Sequence, residues 1–527
     1  MSERVRFIRK IVYACVIAAL LLPLSWLSQP ETTESKGGQL AQLRSEYQLG
    51  QAQLGDIDPA SETIKLATLG MRGVAANLLW DKANEYKKTS NWVALSATLE
   101  QIAKLQPNFV SVWIFQGWNL SYNISVEFDD YRDRYHWVIK GIDFLKEGTQ
   151  YNKDEPRLLS KIGWTISNKI GRADEHVQFR RLFREDDEFN GPLPRAQRDN
   201  WLVGRDWMLR AEDVVAKGVP IRGEAPILFY SHPVMCLMNY SEALEEEGTF
   251  GEVAKNAWRR AGESWADFSN RDLTSRNNLF YRLSEKETYD EQSKQAQEEL
   301  ARLTPPGLRD KIHSEKLAAL SSQERAVYET PADSRTREQQ QAAYFVETKL
   351  QISHMEVANR IEGENRAAAL RAAEEATFAD EMAMMIDIER GIVNYDYWVL
   401  RAKIEPDDNV LAARKLLYDA DQAFRGAQLL SASQKYAEGM QKWHDVLEKY
   451  PQLILDSTFV DELFEAIEHY RKALSQTDEK FPEPFVLQNV LDAFYRYHSA
   501  GPKEDTAAPT DRDKADAEAN DPQQQTP

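Results

Sequence analysis

The chain has 527 residues, room for about three average domains or one long helical array. Its hydrophobic share of 42% can fill a sizeable core, while 84 acidic against 65 basic residues give a formal charge of −19. That surface repels polyanions, so nucleic acid and anionic lipid headgroups are excluded as general partners. Two cysteines and eight histidines leave little material for redox or metal chemistry, and no cofactor and no metal site is predicted.

The first 28 residues set Arg4, Arg6, Arg9 and Lys10 against Glu3 alone, so the remainder is more acidic still. Ile11 to Leu27 (IVYACVIAALLLPLSWL) follows almost without polar side chains. At 1.5 Å per helical residue it reaches about 25 Å, enough to cross a bilayer core. Trp26 stands at the far end, where an indole favours the interface. The small residues around Ser25 and Ser28 offer a poor cleavage site, which favours an uncleaved anchor over a signal peptide. The basic cluster ahead of the segment predicts a cytoplasmic N-terminus and an extracytoplasmic bulk. Cys15 lies in the anchor, so Cys236 alone remains beyond it and no internal disulfide is possible there.

Residues 29–58 are polar, contain Gly37-Gly38 and read as a stalk; Asp58-Pro59-Ala60-Ser61-Glu62 then supplies helix-start chemistry. An aromatic-rich helical region covers 59–283, and eleven of the thirteen tryptophans lie before residue 270. From 284 to 390 the composition turns to Glu, Gln, Ala, Lys and Arg, as in Asn365 to Ala376 (NRAAALRAAEEA), with apolar residues at three- and four-residue spacing. Thr304-Pro305-Pro306-Gly307 and Thr330-Pro331-Ala332-Asp333 interrupt it. A C-terminal helical region fills 391–502, and the acidic tail 503–527 lacks Leu, Ile, Val and aromatics and is expected to be disordered. No strand-type alternation of useful length appears, so the expected fold is all-α.

Two stretches carry a helix–turn–helix repeat pattern. Leu79, Ala83, Tyr86, Leu95, Leu99, Ile102 and Pro107 form the first, and Ala423, Ala427, Tyr436, Gly439, Trp443, Val446 and Pro451 the second. Small residues let two helices approach, aromatics fill the gap between them, and proline ends the second helix. Both stretches resemble the tetratricopeptide-like family, and both depart from it: Leu95 stands where a small residue is usual, and Leu430 replaces an aromatic. A further degenerate unit around Trp137 to Trp164 is consistent with the turn Tyr151-Asn152-Lys153-Asp154-Glu155-Pro156. The anchor, Leu69-Gly70-Met71-Arg72-Gly73, Gln106-Pro107-Asn108-Phe109 and Trp118-Asn119-Leu120-Ser121-Tyr122-Asn123 also resemble membrane-anchored proteins of planctomycete-type bacteria. The resemblance implies a membrane anchor followed by a tetratricopeptide-like solenoid that binds other proteins.

Chemistry-bearing patterns are sparse. Glu127-Phe128-Asp129-Asp130 and Glu185-Asp186-Asp187-Glu188 lack the alternation and glycine of a calcium loop. Glu465 and His469 share a helix face but have no matching pair elsewhere. No HExxH, CxxC pair, P-loop or Gly-x-Ser-x-Gly is present. Two functional readings follow. The first is a scaffold for a protein or peptide partner, contacted through Tyr86, Trp113, Trp118 and Asn119. Trp113 and Trp118 cannot both enter one narrow seam, so one is expected to line a groove. The second is an envelope enzyme or ligand-binding protein with a pocket between helical halves, walled by Gly223 to Tyr240 and using His232, Cys236 and Asn239.

Overall fold

A computed structural model describes residues 72–499, apart from 276 and 277. The anchor, the stalk and the acidic tail fall outside the described residues. Of those described, 79% are helical, and the described residues are all-α apart from the two-residue strands Leu273–Thr274 and Phe280–Tyr281. No helix among the described residues is long and apolar enough to cross a membrane. The described residues form two compact units, one of residues 72–237 with 273–279 and one of 238–272 with 280–499.

In the first unit, α1 (Arg72–Lys88) and α2 (Trp92–Leu105) form a hairpin. Asn91 starts α2 by accepting the Ala94 amide at 3.2 Å, and α2 ends just before Pro107. The span is that of the first repeat read from sequence. Helices α3 (Val110–Trp118) and α4 (Tyr131–Tyr151) follow, then α5 (Pro156–Trp164), α6 (His176–Glu185) and α7 (Asn200–Ala216). Asp130 and Asp199 cap α4 and α7 by accepting amides that have no partner within the helix, and Pro156 in the first turn of α5 has no N–H to leave unpaired. Leu99, Ile102, Val138, Ile142, Leu145, Ile162 and Phe183 have no measurable exposure. Each such side chain contributes about 1.5–3 kcal/mol of transfer free energy. The turns are tied as well: the Pro107 carbonyl accepts Trp113 Nε1 and Asn152 Nδ2, both at 2.8 Å.

Helix α8 (Pro226–Glu246) carries the division between the units, at Leu237. The second unit continues with α9 (Glu252–Ser269) and α10 (Lys286–Leu303), then α11 (Leu308–Ala319), α12 (Ser322–Glu329) and α13 (Arg337–Leu350). Capping boxes at Ser321–Glu324 and Thr336–Gln339 start α12 and α13. Helix α14 (Arg366–Ile392) packs along α10, burying Ala369, Ala372, Ala373, Ala376 and Ala379. Small side chains on one face permit that approach. Then come α15 (Tyr395–Ile404), α16 (Asp408–Arg425), α17 (Leu429–Lys449), α18 (Ser457–Gln476) and α19 (Gln488–Ser499). Helices α16 and α17 form a hairpin with Tyr436, Trp443 and Val446 in its core, and a Cβ at Gly439 would lie 2.8 Å from Leu417. Its turn falls at 426–428, so Ala427 lies in the turn and Leu430 opens the second helix, which departs from the repeat register read from sequence.

Among the described glycines, the shortest Cβ clashes between helices lie in the first unit. A Cβ at Gly141 (α4) would sit 2.2 Å from Ser121 Oγ and 2.6 Å from the Gly117 carbonyl. A Cβ at Gly204 (α7) would sit 2.0 Å from Ser167 Oγ and 2.7 Å from the Gly163 carbonyl. Backbone cannot yield there, so alanine must push the helices apart. We predict that Gly141→Ala and Gly204→Ala each lower stability by about 1–3 kcal/mol. Gly391→Ala, at a helical site with nothing within 4 Å, should be neutral or up to about 1 kcal/mol stabilising. Denaturation midpoints of the three variants check this; equal shifts would contradict the backbone-contact account.

Candidate functional site

The two glycine crossings belong to a repeated segment. Gly117-Trp118-Asn119-Leu120-Ser121-Tyr122-Asn123-Ile124 and Gly163-Trp164-Thr165-Ile166-Ser167-Asn168-Lys169-Ile170 share glycine, tryptophan, serine and the final isoleucine in one register. In both, the chain winds as a π-helix just past the tryptophan, at Asn119–Ile124 and Thr165–Lys169. Single π-wound turns within α-helices are often found at functional sites. Each segment lays its glycine and serine against a glycine of a later helix, Gly141 and Gly204 respectively. Those partners also match, as Gly141-Ile142-Asp143-Phe144-Leu145 and Gly204-Arg205-Asp206-Trp207-Met208.

With its small residues turned to the neighbouring helix, each segment leaves its tryptophan partly exposed, whereas Trp113, Trp201, Trp258, Trp265 and Trp443 are buried. Trp118 stacks on Tyr122, with ring centres 6.2 Å apart, and lies 6.0 Å from Phe115. Lys169, from the second segment, places its ammonium 4.7 Å from the Tyr122 ring centre, and Lys87 lies 5.6 Å from Phe115. The result is a run of aromatic faces covered by flexible cationic side chains.

The residues singled out from sequence separate into two groups. Tyr86 and Trp118 are partly exposed. Trp113 is 2% exposed and packs on Phe144 and Tyr151, so it belongs to the core. Asn119 has no exposure: its Oδ1 accepts from Asn123 Nδ2 at 3.0 Å and its Nδ2 donates to Gln116, which reaches Ser96 Oγ at 2.6 Å. Trp113 and Asn119 therefore hold the segment in place and cannot themselves touch a partner. Trp164 was not singled out by sequence reasoning. Matching Gly117–Ile124 to Gly163–Ile170 is the signal that finds it.

His232 and Cys236 lie in the first unit, and Asn239, also buried, lies in the second. The His232 ring stands over Trp164 at 4.8 Å, with Nδ1 3.4 Å from Glu224 Oε1. Burial, with Lys161 nearby, pushes its pKa down to about 4, leaving a neutral ring at pH 7. The Cys236 sulfur faces Ser167 Oγ at 3.3 Å and Met208 Sδ at 3.8 Å. Burial pushes that thiol up to about 12. A thiol held protonated is a poor nucleophile, so this pair is structural rather than reactive.

Among the described residues, the second unit holds a dense and largely buried group of charges, in which Glu462 stays 40% exposed. Arg414 binds both Glu405 oxygens and Glu462, and its Nε lies 3.5 Å from Glu245. Arg401 reaches Glu242 at 2.6 Å, Glu405 at 3.0 Å and the Tyr397 hydroxyl at 3.0 Å. Trp258 Nε1 donates to Glu245 at 2.7 Å. Four carboxylates thus face two guanidinium groups. Burial first, and Glu405 second, push the Glu245 carboxyl up to about 8. Burial also opposes ionisation of Glu462, but Arg414 and Arg401 outweigh it and hold that carboxyl down at about 2. The adjoining cavity, lined by Tyr397, Arg401, Glu405, Trp443, Asp456 and Phe459, measures about 10 Å³. That is room for about one water, too little for a substrate, so the cluster reads as a structural knot. A more open groove of about 320 Å³ runs between α9 and α15, past Gly262, Trp265, Ser269, Tyr395, Val399 and Lys403.

No known family matches the sequence, and no curated protein and no solved structure is significantly similar to it.

The ion cluster predicts a pH response. Glu245 binds a proton in the folded chain over a range where an unfolded glutamate, with a pKa near about 4.3, has lost it. Its contribution to stability is complete below that lower value and is lost as pH rises through about 8. Glu462 acts in the opposite sense, losing its contribution as pH falls from the ordinary glutamate range toward about 2. We expect Tm to fall between pH 7 and pH 9, above the range in which His232 responds, and to fall less in Glu245→Gln. Parallel Tm profiles for the two proteins would refute this assignment.

Proposed function

We propose that the chain is a membrane-anchored, extracytoplasmic scaffold of tetratricopeptide-like helical repeats that binds a protein or peptide partner through its first unit. Its N-terminus is cytoplasmic in this reading, and Ile11 to Leu27 holds the helical bulk at the outer face of the membrane. One observation carries the binding role: Trp118 and Trp164 stand partly exposed at matched positions of a repeated segment whose other fixed residues serve packing. Tryptophan is enriched where binding energy concentrates. Tyr86, partly buried on α1, is assigned to the same face.

The alternative is a ligand-binding or catalytic envelope protein. The groove between α9 and α15 favours it, since its volume of about 320 Å³ reaches the lower range of small-molecule sites. Native mass spectrometry of the purified chain separates the readings, because a tightly held small molecule would appear as an added mass.

The scaffold reading is tested by affinity capture of the tagged, cross-linked full chain from native membranes, beside the Trp118→Ala/Trp164→Ala variant. One or two stoichiometric partners, lost from the variant while its helical circular dichroism is retained, are expected. Equal capture by both proteins, or no enriched partner, would sink the proposal.

A further inference from the structure

Helix α14 has two apolar faces, and only one of them is packed. Ala369, Ala372, Ala373, Ala376, Ala379, Met382, Ile386 and Arg390 are buried. On the opposite side Glu374, Phe378, Glu381, Met385, Ile388 and Ile392 recur at alternating spacings of four and three residues. That is the seam pattern of a coiled coil. The seam runs for about 27 Å at 1.5 Å per residue. Phe378 is 54% exposed, Ile388 60% and Ile392 37%, with Met384 beside them at 62%. Tyr289 of α10 meets Phe378 edge-on, with ring centres 6.2 Å apart, and forms one wall. Soluble helices ordinarily put polar residues on the solvent side, so three exposed large apolar residues in one seam, with half-buried Met385 among them, mark a docking face.

Charge decides what covers it. The N-terminal half of the seam places Glu374 and Glu381 in line with Phe378, Glu375 stands beside them, and all are exposed. Among the described residues no cation pairs with Glu374 or Glu381. A second copy in parallel would stack these carboxylates on their own counterparts. An antiparallel copy would set Glu374 opposite the apolar end at Ile392. Both arrangements are penalised by charge repulsion or by burial of an unpaired carboxylate. An anionic membrane is repelled by the same acids.

We propose that this seam takes an amphipathic helix of another protein, with apolar residues opposite Phe378, Met385, Ile388 and Ile392 and lysine or arginine opposite Glu374 and Glu381. This is a second surface, in the second unit, and it does not rest on the aromatic face of the first.

The probe is a synthetic amphipathic helix about three heptads long, with leucines at the face positions opposite Phe378, Met385, Ile388 and Ile392 and lysines at those opposite Glu374 and Glu381; a control peptide carries glutamates in place of the lysines. Binding to the detergent-solubilised full chain is followed by fluorescence anisotropy. The lysine peptide should bind at least about tenfold more tightly than the glutamate peptide, a difference of about 1.4 kcal/mol. Ile388→Glu should weaken it by about tenfold or more. The Glu374→Lys/Glu381→Lys variant should reverse the preference between peptides. All substituted side chains are exposed, so circular dichroism should match the unsubstituted chain. Equal affinity for both peptides, no binding, or indifference to Ile388→Glu would overturn the proposal. So would a dimer of the full chain that Ile388→Glu dissociates, since the occupant would then be a second copy.

Discussion

Two helix crossings in the first unit approach so closely that no Cβ fits between them, and the arrangement of its side chains depends on this contact. At each crossing a glycine carbonyl and a serine hydroxyl on one helix meet a glycine on the next, Gly117 and Ser121 on Gly141, and Gly163 and Ser167 on Gly204. Fixing those residues toward the neighbouring helix fixes the rotation of the whole segment. Asn119 is turned inward and must find hydrogen bonds, which Gln116 and Asn123 supply. Trp118 and Trp164 are turned toward the surface. The partly exposed rings are therefore a consequence of backbone packing, and the same contact geometry produces them twice.

The second unit reaches close packing by another route. Alanines line the contact face of α14, and the interior accepts an ion cluster in which Arg401 and Arg414 each serve more than one carboxylate. Breaking such a cluster by removing one member costs about 3–5 kcal/mol, although an apolar replacement of the whole set can be as stable. The cluster's value lies in specificity, because Glu242 and Glu245 from α8, Arg401 from α15, Arg414 from α16 and Glu462 from α18 satisfy one another in a single arrangement. Trp258 and Trp443 cover the guanidinium groups, with centres 5.5 Å and 5.4 Å away from Arg401 and Arg414.

Much of the secondary structure was legible from local chemistry. Pro107, Pro156 and Pro451, read as turn residues, fall at turns or first turns, whereas the caps Asn91, Asp130, Asp199, Asp407 and Asp456 were not singled out although each accepts an amide at a helix start. The hairpin at 79–107 was visible because its small and aromatic residues keep helical spacing over one turn-linked pair, whereas the stretch 423–451 holds mostly one helix, its turn falling at 426–428. The duplicated segment was not, because its copies lie 46 residues apart while their glycine partners lie 63 apart. No fixed period connects them. The assignment of Trp113 to the core and Trp118 to the surface depends on helix rotation, which Gly117 and Gly148 set through contacts with Leu145 and Trp113. Neighbours brought in by other helices carry that information. The ion cluster was hidden for the same reason, since its members come from four helices and share no sequence pattern. The outer seam of α14 was readable in principle, but strong helix formers on every side of that helix masked its period.

The central claim is that packing turns Trp118 and Trp164 outward to serve a partner while Trp113 serves the core. Comparing the unfolding free energies of Trp113→Ala, Trp118→Ala and Trp164→Ala in the isolated chain tests it most directly. Trp113→Ala should cost about 3–5 kcal/mol, as for a fully buried aromatic, and each of the other two less than half of that. Equal costs at all three positions would make the exposed pair ordinary core residues and would contradict the account.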